Sequence, residues 1–167
     1  YGTIIDYKSN GKHFDWGQAY DGRQMQLLTY WQAAQLSAEQ LGIEAIGGAF
    51  FAKIAPEKLT IKDFKGDVRA MLRGEIKPEQ FKYRGLFISE PAYIDSLETL
   101  AEGEGSQFYQ LKKKANGELY ANSDVILPED FELLLKRNLD NIQRASAAIL
   151  SGDFPLSPAE GGLQFTP

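Results

Sequence analysis

Cysteine is absent from the 167 residues, and histidine occurs once, at His13. The first absence excludes thiolate metal centres, cysteine nucleophiles and thiol redox switching, and the second excludes a two-histidine zinc site. Metal chemistry in this chain must therefore use oxygen ligands, which favours magnesium, manganese or calcium held by carboxylates and carbonyls. Long apolar runs are missing too. The longest mostly apolar stretch, Ile43 to Ile54, is broken by Glu44 and Lys53 and falls well short of the roughly 20 residues that cross a bilayer. Basic charge is in deficit, with 18 Lys and Arg against 23 Asp and Glu and a net charge of −5. That balance argues against strong non-specific DNA binding by this chain alone, because lysine and arginine contacts to phosphate dominate duplex affinity. No initiator methionine, basic leader or signal-like run opens the chain at Tyr1-Gly2-Thr3, so it reads as a piece of a longer protein.

Hydrophobic residues make up 43% and charged residues 25%, the usage of one folded domain with a real core. Gly2 to Tyr7 is β-branched and aromatic and meets a turn composition at Lys8-Ser9-Asn10-Gly11, which predicts a buried strand. Helical spacing of Gln24, Leu27, Leu28, Trp31, Ala34 and Leu41, with Gly42 as a stop, predicts a helix over about Gly22 to Leu41. Ile43 to Ile54 predicts a second strand, with a candidate bulge at Gly47-Gly48 and a stop at Pro56. Strand, helix, strand with so long a crossover is the βαβ order of a shared sheet, and the fold class is α/β. Further on, the pattern predicts a short strand over Gly85 to Ile88 and a short helix over Pro91 to Leu100. It also predicts a hairpin of Gln107 to Lys113 with Glu118 to Tyr120 around Asn116-Gly117, with Asp124 to Leu127 extending it. Pro128 opens a long amphipathic helix whose stripe is Phe131, Leu134, Leu135, Leu139, Ile142, Ala145 and Ile149, ending at Ser151-Gly152. Phe154 to Pro167, with three prolines and two adjacent glycines, reads as an extended tail.

Two constellations could carry chemistry. Asp6 and Lys8 lie two apart at a strand end, so their side chains leave on one face. Such a pair suits metal-assisted phosphodiester cleavage, in which the carboxylate ligates a hard cation and the lysine orients water and offsets phosphate charge. An ordinary ion pair explains the same spacing. Gln26 and Tyr30 lie four apart on one helix face beside the small residues Ala33 and Ser37, which suits a ligand phosphate or a close backbone as well as it suits a half-exposed surface. His13, Phe14 and Trp16 follow the first strand and either stack on a single strand of nucleic acid or anchor a loop. Lys12 and Arg23 are candidate phosphate contacts near the same place. Lys112-Lys113-Lys114 reads as a solvated hairpin edge more readily than as a DNA contact.

Asp6-Tyr7-Lys8 followed by Tyr20 to Tyr30 resembles the RecB-type branch of the PD-(D/E)xK nucleases. With Tyr83-Arg84-Gly85-Leu86, Phe131 to Leu135 and Ile149 to Asp153 in this order, the chain resembles over nearly its whole length the carboxy-terminal nuclease domains of the B subunits of bacterial helicase–nuclease complexes, the AddB/RexB family. The resemblance implies a restriction-endonuclease-like core with a mixed sheet flanked by helices. It divides the single nuclease-domain fragment 1–167 into a core at 1–56, a family-specific extension at 57–127, the long helix at 128–152 and a tail at 153–167. It implies Asp6 as a metal-binding acid, the Tyr7 backbone carbonyl as a further ligand, Lys8 as the catalytic lysine, and Gln26 with Tyr30 as the glutamine-x-x-x-tyrosine motif. The implied activity is a cytoplasmic, magnesium-dependent exonuclease, with manganese as an alternative, that trims the 5′-ended strand at double-strand breaks. The implied partners are DNA ends and the helicase/nuclease A subunit of such a complex.

The family's first acidic residue lies on an earlier strand that this chain does not contain, so the fragment alone is expected to be inactive. Many relatives also carry four cysteines around an iron–sulfur cluster, and the lack of cysteine here predicts a cluster-free, RexB-like version. Two other readings stand beside the enzyme. One is a nuclease-like scaffold that has lost catalysis and grips DNA or the helicase partner. The other is an unrelated α/β binding module, which predicts that Asp6 and Lys8 do not converge in space with Gln26.

Overall fold

A computed structural model describes residues 1–9, 13–54, 68–69, 73 and 81–153. Lys12, Pro56, most of the mixed segment before Tyr83 and the tail from Phe154 lie outside the described residues. The first strand, β1 (Gly2–Lys8), is present but is not the buried strand expected: it alternates between half-buried and exposed positions, as an edge strand with one covered face must. Its partner β2 (Ile46–Lys53) pairs with it in parallel, with Asp6 opposite Phe51 and Lys8 opposite Lys53. A register shift at Gly2/Thr3 leaves Gly47 as the extra residue, so the expected bulge is present. β3 (Arg84–Ile88) runs antiparallel to β2, and the two-residue β4 (Val125–Ile126) runs parallel to β3. The result is a mixed four-stranded sheet in the order β1-β2-β3-β4, and the fold is α/β.

Side chains on the two faces of β2 explain its uninterrupted burial. On one face Ala49 and Phe51 join Leu27, Leu28, Trp31, Phe131 and Leu134 in a core. On the other, Phe50 joins Phe87, Tyr93, Ile94, Leu100 and Leu111. The first core is covered by α2 (Gln26–Leu36) and by the first half of α4 (Pro128–Ser151), which meet where the Trp31 and Phe131 rings stand 4.3 Å apart. The second is covered by α3 (Pro91–Leu97) and the loops after it.

Four further expectations are corrected. The helix predicted over Gly22 to Leu41 is shorter at both ends. Gly22 sits at φ +81 and closes a separate five-residue helix, α1 (Trp16–Tyr20), with its N–H on the Ala19 carbonyl. Past Leu36 the chain turns, because Leu36 and Leu41 meet no core and Gly42 takes φ +68. Second, α1 replaces part of the expected loop. Its signal was present: Asp15 is the N-cap and accepts from the Gln18 N–H at 2.8 Å, an acid-x-x-glutamine start. Third, the hairpin keeps its turn, with Gly117 at φ +83 and the Lys114 N–H on the Glu118 carbonyl at 2.7 Å, but its arms reduce to isolated bridges at Gly105–Lys112 and Lys113–Leu119. The Ser106 hydroxyl accepts the Phe108 and Tyr109 N–H groups, which a longer ladder would need; of the expected extension, Asp124 does reach the first arm, its N–H on the Gln110 carbonyl at 2.8 Å, while Val125–Ile126 pairs with β3. Fourth, only the first half of the α4 stripe is packed. Leu139 and Ile149 are exposed, and Leu139 and Ile142 face Thr29, Ala33 and Leu36 across a groove of about 590 Å³. Asn138 and Asn141 take the buried positions there, Asn138 donating to Gln32 Oε1 at 2.9 Å and Asn141 to the Tyr20 carbonyl at 3.1 Å.

A Cβ at Gly85 would stand 2.1 Å from the Ala49 carbonyl oxygen, a backbone atom held in the ladder. Gly85→Ala is therefore expected to cost about 3 kcal/mol, seen as a lower urea midpoint at unchanged slope. Tyr93, packed under the Gly47–Gly48 bulge and sharing a 2.8 Å hydrogen bond with Thr3 Oγ1, has its hydroxyl pushed up from 10.0 to about 12 by burial. Between those values the unfolded chain has lost this proton and the folded chain keeps it. The associated stability is complete below pH 10 and is lost as pH rises toward 12, by roughly 2 to 3 kcal/mol. Denaturant unfolding across that range is expected to show this loss, and Tyr93→Phe is expected to remove it.

Candidate active site

Alternation along β1 turns Ile4, Asp6 and Lys8 toward the face that α2 covers and leaves Thr3, Ile5 and Tyr7 on the other. Gln26 opens α2 directly above the end of β1. The Lys8 ammonium donates to Gln26 Oε1 at 2.8 Å and lies 2.8 Å from Asp6 Oδ2. The Gln26 amide donates in turn to the Tyr30 hydroxyl at 2.9 Å, the geometry of an i, i+4 pair. Asp6, Lys8, Gln26 and Tyr30 therefore form one connected row, and the non-convergence predicted for an unrelated module is not observed.

Solvent reaches this row unevenly. The side chains of Asp6 and Lys8 are 16% and 25% exposed, and the Phe51 ring lies beneath the ammonium with its centroid 5.5 Å away. The parallel register that sets Asp6 opposite Phe51 brings that ring in, and no local sequence signal announces it. The ammonium contact to Asp6 Oδ2 is an ion pair rather than an aligned hydrogen bond, and this buried oxygen has no hydrogen-bond partner. Its lone pairs remain available to a hard cation. The Ile54 N–H bonds to the Lys8 carbonyl, toward β2; strand alternation therefore turns the Tyr7 carbonyl to the other side of β1, the edge that no strand covers among the described residues. Among the described residues no group of three or more His, Asp or Glu side chains gathers as a metal site. One carboxylate whose Oδ2 carries an ion pair but no hydrogen bond, next in sequence to an edge carbonyl, nevertheless suits magnesium, which keeps several waters and takes its other ligands from substrate phosphate.

Among the described residues, the remaining candidates make no hydrogen bond or ion pair with this row. His13 is exposed. Phe14 is buried in the first core and meets Trp16 edge-on, ring centroids 4.9 Å apart, so the segment is anchored by one aromatic and presents another. Arg23 pairs with Asp21 at 3.0 Å on the surface. Asp15 spends its carboxylate on the α1 cap, and its own N–H donates to Gln24 Oε1 at 3.1 Å. This clamp between the two helix starts, two residues before Gln26, was not read from the sequence. The lysine triplet is committed locally, Lys113 to Asp95 and Lys114 to Glu118. Glu118 is held below the usual carboxylate range by its bonds to Lys114 and Asn116.

No protein-family model matches the chain. Across all 167 residues it is 99% identical to part of the B subunit of the ATP-dependent helicase/deoxyribonuclease of Leuconostoc citreum strain KM20. It is 60% identical over 168 aligned residues to the protein of that name from Leuconostoc mesenteroides, and 34% identical over 170, covering 95% of this chain, to that from Oenococcus oeni. The chain spans 14% of the length of each of these relatives. No helix among the described residues is long and apolar enough to cross a membrane.

Lys8→Met would strand the Asp6 carboxylate and the Gln26 oxygen together. It is expected to destabilise the fold by about 1 to 2 kcal/mol, discounted for the partial exposure of the pair. Adding Asp6→Asn should cost less than the two single changes summed, and a double-mutant cycle by urea denaturation measures that coupling.

Proposed function

We propose that this chain is the metal-dependent exonuclease domain of a helicase–nuclease complex that processes double-strand breaks for recombinational repair by cleaving the 5′-ended strand. On this reading the sheet and α2 are the core of a restriction-endonuclease-like, PD-(D/E)xK domain. The observation that carries the reading is the Lys8 ammonium held between Asp6 Oδ2 and Gln26 Oε1, each at 2.8 Å, in a chain whose relatives are named helicase/deoxyribonuclease subunits.

Asp6 and the Tyr7 carbonyl would hold magnesium, with manganese as the alternative. The ion supplies Lewis-acid polarisation of the scissile phosphate and a water of lowered pKa. The residues of the chain do the rest. An ammonium has three donors; Gln26 accepts one, Asp6 stands beside the ammonium as an ion pair, and the remaining donor capacity would serve the attacking water or a non-bridging phosphate oxygen. Because an ammonium only donates, Lys8 takes the Oε1 end of the Gln26 amide and leaves its NH2 group to donate to the Tyr30 hydroxyl, which steadies the amide. His13, Trp16 and Arg23, with Lys12 from outside the described residues, are proposed as DNA contacts. The partners on this reading are DNA ends and a helicase/nuclease A subunit that supplies the motor.

The test uses the full-length protein in complex with its helicase partner. In magnesium, Lys8→Ala is expected to lower degradation of the 5′-ended strand by at least about a hundredfold, with unwinding and complex assembly intact. Gln26→Ala should lower it by a smaller factor, and chelation should abolish it. Undiminished degradation by Lys8→Ala would overturn the nuclease assignment and leave a catalytically silent scaffold.

A further inference from the structure

We propose that Trp16, Tyr20 and Arg137 form a stacking platform that holds single-stranded DNA beside the Lys8 row. The inference rests on the nuclease reading for the strand's destination, and its own argument comes from α1. Trp16 and Tyr20 lie one turn apart on this helix and present their rings on one side, 39% and 56% exposed. Both rings are braced from behind. Phe14, itself buried, meets Trp16 edge-on at 4.9 Å. The Arg137 guanidinium lies over the Tyr20 ring at 4.7 Å, and its Nε donates to the carbonyl of the same residue at 3.2 Å. A ring backed by a cation on one face offers its other face to a base, with little side-chain freedom left to lose.

Charge points the same way. Among the described residues no carboxylate pairs with Arg137, whereas Arg23, Arg84, Lys113 and Lys114 each have an acidic partner. In a chain of net charge −5 a phosphate grip is weak, and stacking is the sequence-tolerant alternative because every base has a π-face. The position is also right. Asp15, next to Trp16, is tied to Gln24 at 3.1 Å, two residues before the Gln26 that receives the Lys8 ammonium. The Trp16 end of α1 is thus tied to the turn that leads into the helix carrying Gln26.

The test is made in the intact complex. Oligodeoxynucleotides carrying 5-iododeoxyuridine are photocross-linked to the Lys8→Ala form and the adducts are mapped by mass spectrometry. Single-strand degradation kinetics are measured for Trp16→Ala, Tyr20→Ala, Trp16→Phe and Tyr20→Phe. We expect adducts at Trp16 or Tyr20, KM raised about tenfold by each alanine with little change in kcat, and near-normal KM for both phenylalanine variants, which keep a ring and guard against misfolding. Adducts confined to other elements, or KM within about twofold for both alanine variants, would overturn the platform. The nuclease reading fails separately, through full activity of Lys8→Ala, and the cross-link map still decides the platform in that case.

Discussion

The parallel pairing of Gly2–Lys8 with Ile46–Lys53 is the constraint on which the rest of the arrangement depends. Two parallel neighbours cannot be joined by a tight turn, so the chain must return across a face of the sheet before the second strand begins. Here it returns as α1 and α2, packed by Leu27, Leu28 and Trp31 on the face that carries Ile4, Asp6 and Lys8. The same pairing sets the Phe51 ring beneath the Lys8 ammonium. A row of Asp6, Lys8, Gln26 and Tyr30 thus follows from strand direction, side-chain alternation and helix period together.

Within that row satisfaction is uneven, and the unevenness has a chemical meaning. Lys8 and Gln26 complete each other, and Gln26 is completed again by Tyr30. Asp6 Oδ2 is left with an ion pair and no hydrogen bond. Burying a carboxylate oxygen without donors costs stability unless a charge compensates it, and the arrangement makes sense where a cation and its waters complete the shell. Asp124 shows the contrasting, structural use of a buried carboxylate. It takes the Arg84 guanidinium at 3.0 Å and the Gly85 N–H at 3.1 Å, and so welds β3 to the chain leading into β4.

Asparagine and arginine on α4 connect the helical layer to α1. Asn141 and Arg137 both donate to the Tyr20 carbonyl, one of the carbonyls at the end of α1 that lack a helical partner. Arg144 bonds to Asn141. One short helix is thereby fixed at its start by the Asp15 cap and its link to Gln24, and at its end by α4. Its two exposed rings are held by a core residue, Phe14, on Trp16 and by Arg137 of α4 on Tyr20.

Strands β1, β2 and β3, the short helix at Pro91 and the long helix at Pro128 were legible because each rests on local rules: β-branched and aromatic runs, period 3.6, proline at a helix start and glycine at its end. Asp6 with Lys8, and Gln26 with Tyr30, were each legible as a pair sharing a face, because both spacings are intrinsic to strand and helix. That the two pairs touch was implied by the family resemblance and not by their spacing, since an 18-residue separation becomes 2.8 Å only when α2 packs on β1. Packing also decided Phe51 under Lys8, Val125–Ile126 leaving the hairpin to join β3, and the bare second half of the α4 stripe. Apolar periodicity states which face can be buried, and only packing decides whether anything lies there to bury it. The sequence by itself determined the elements and the chemistry each one carries; the tertiary structure decided which of them meet, because contact between distant residues depends on sheet order and register rather than on local propensity.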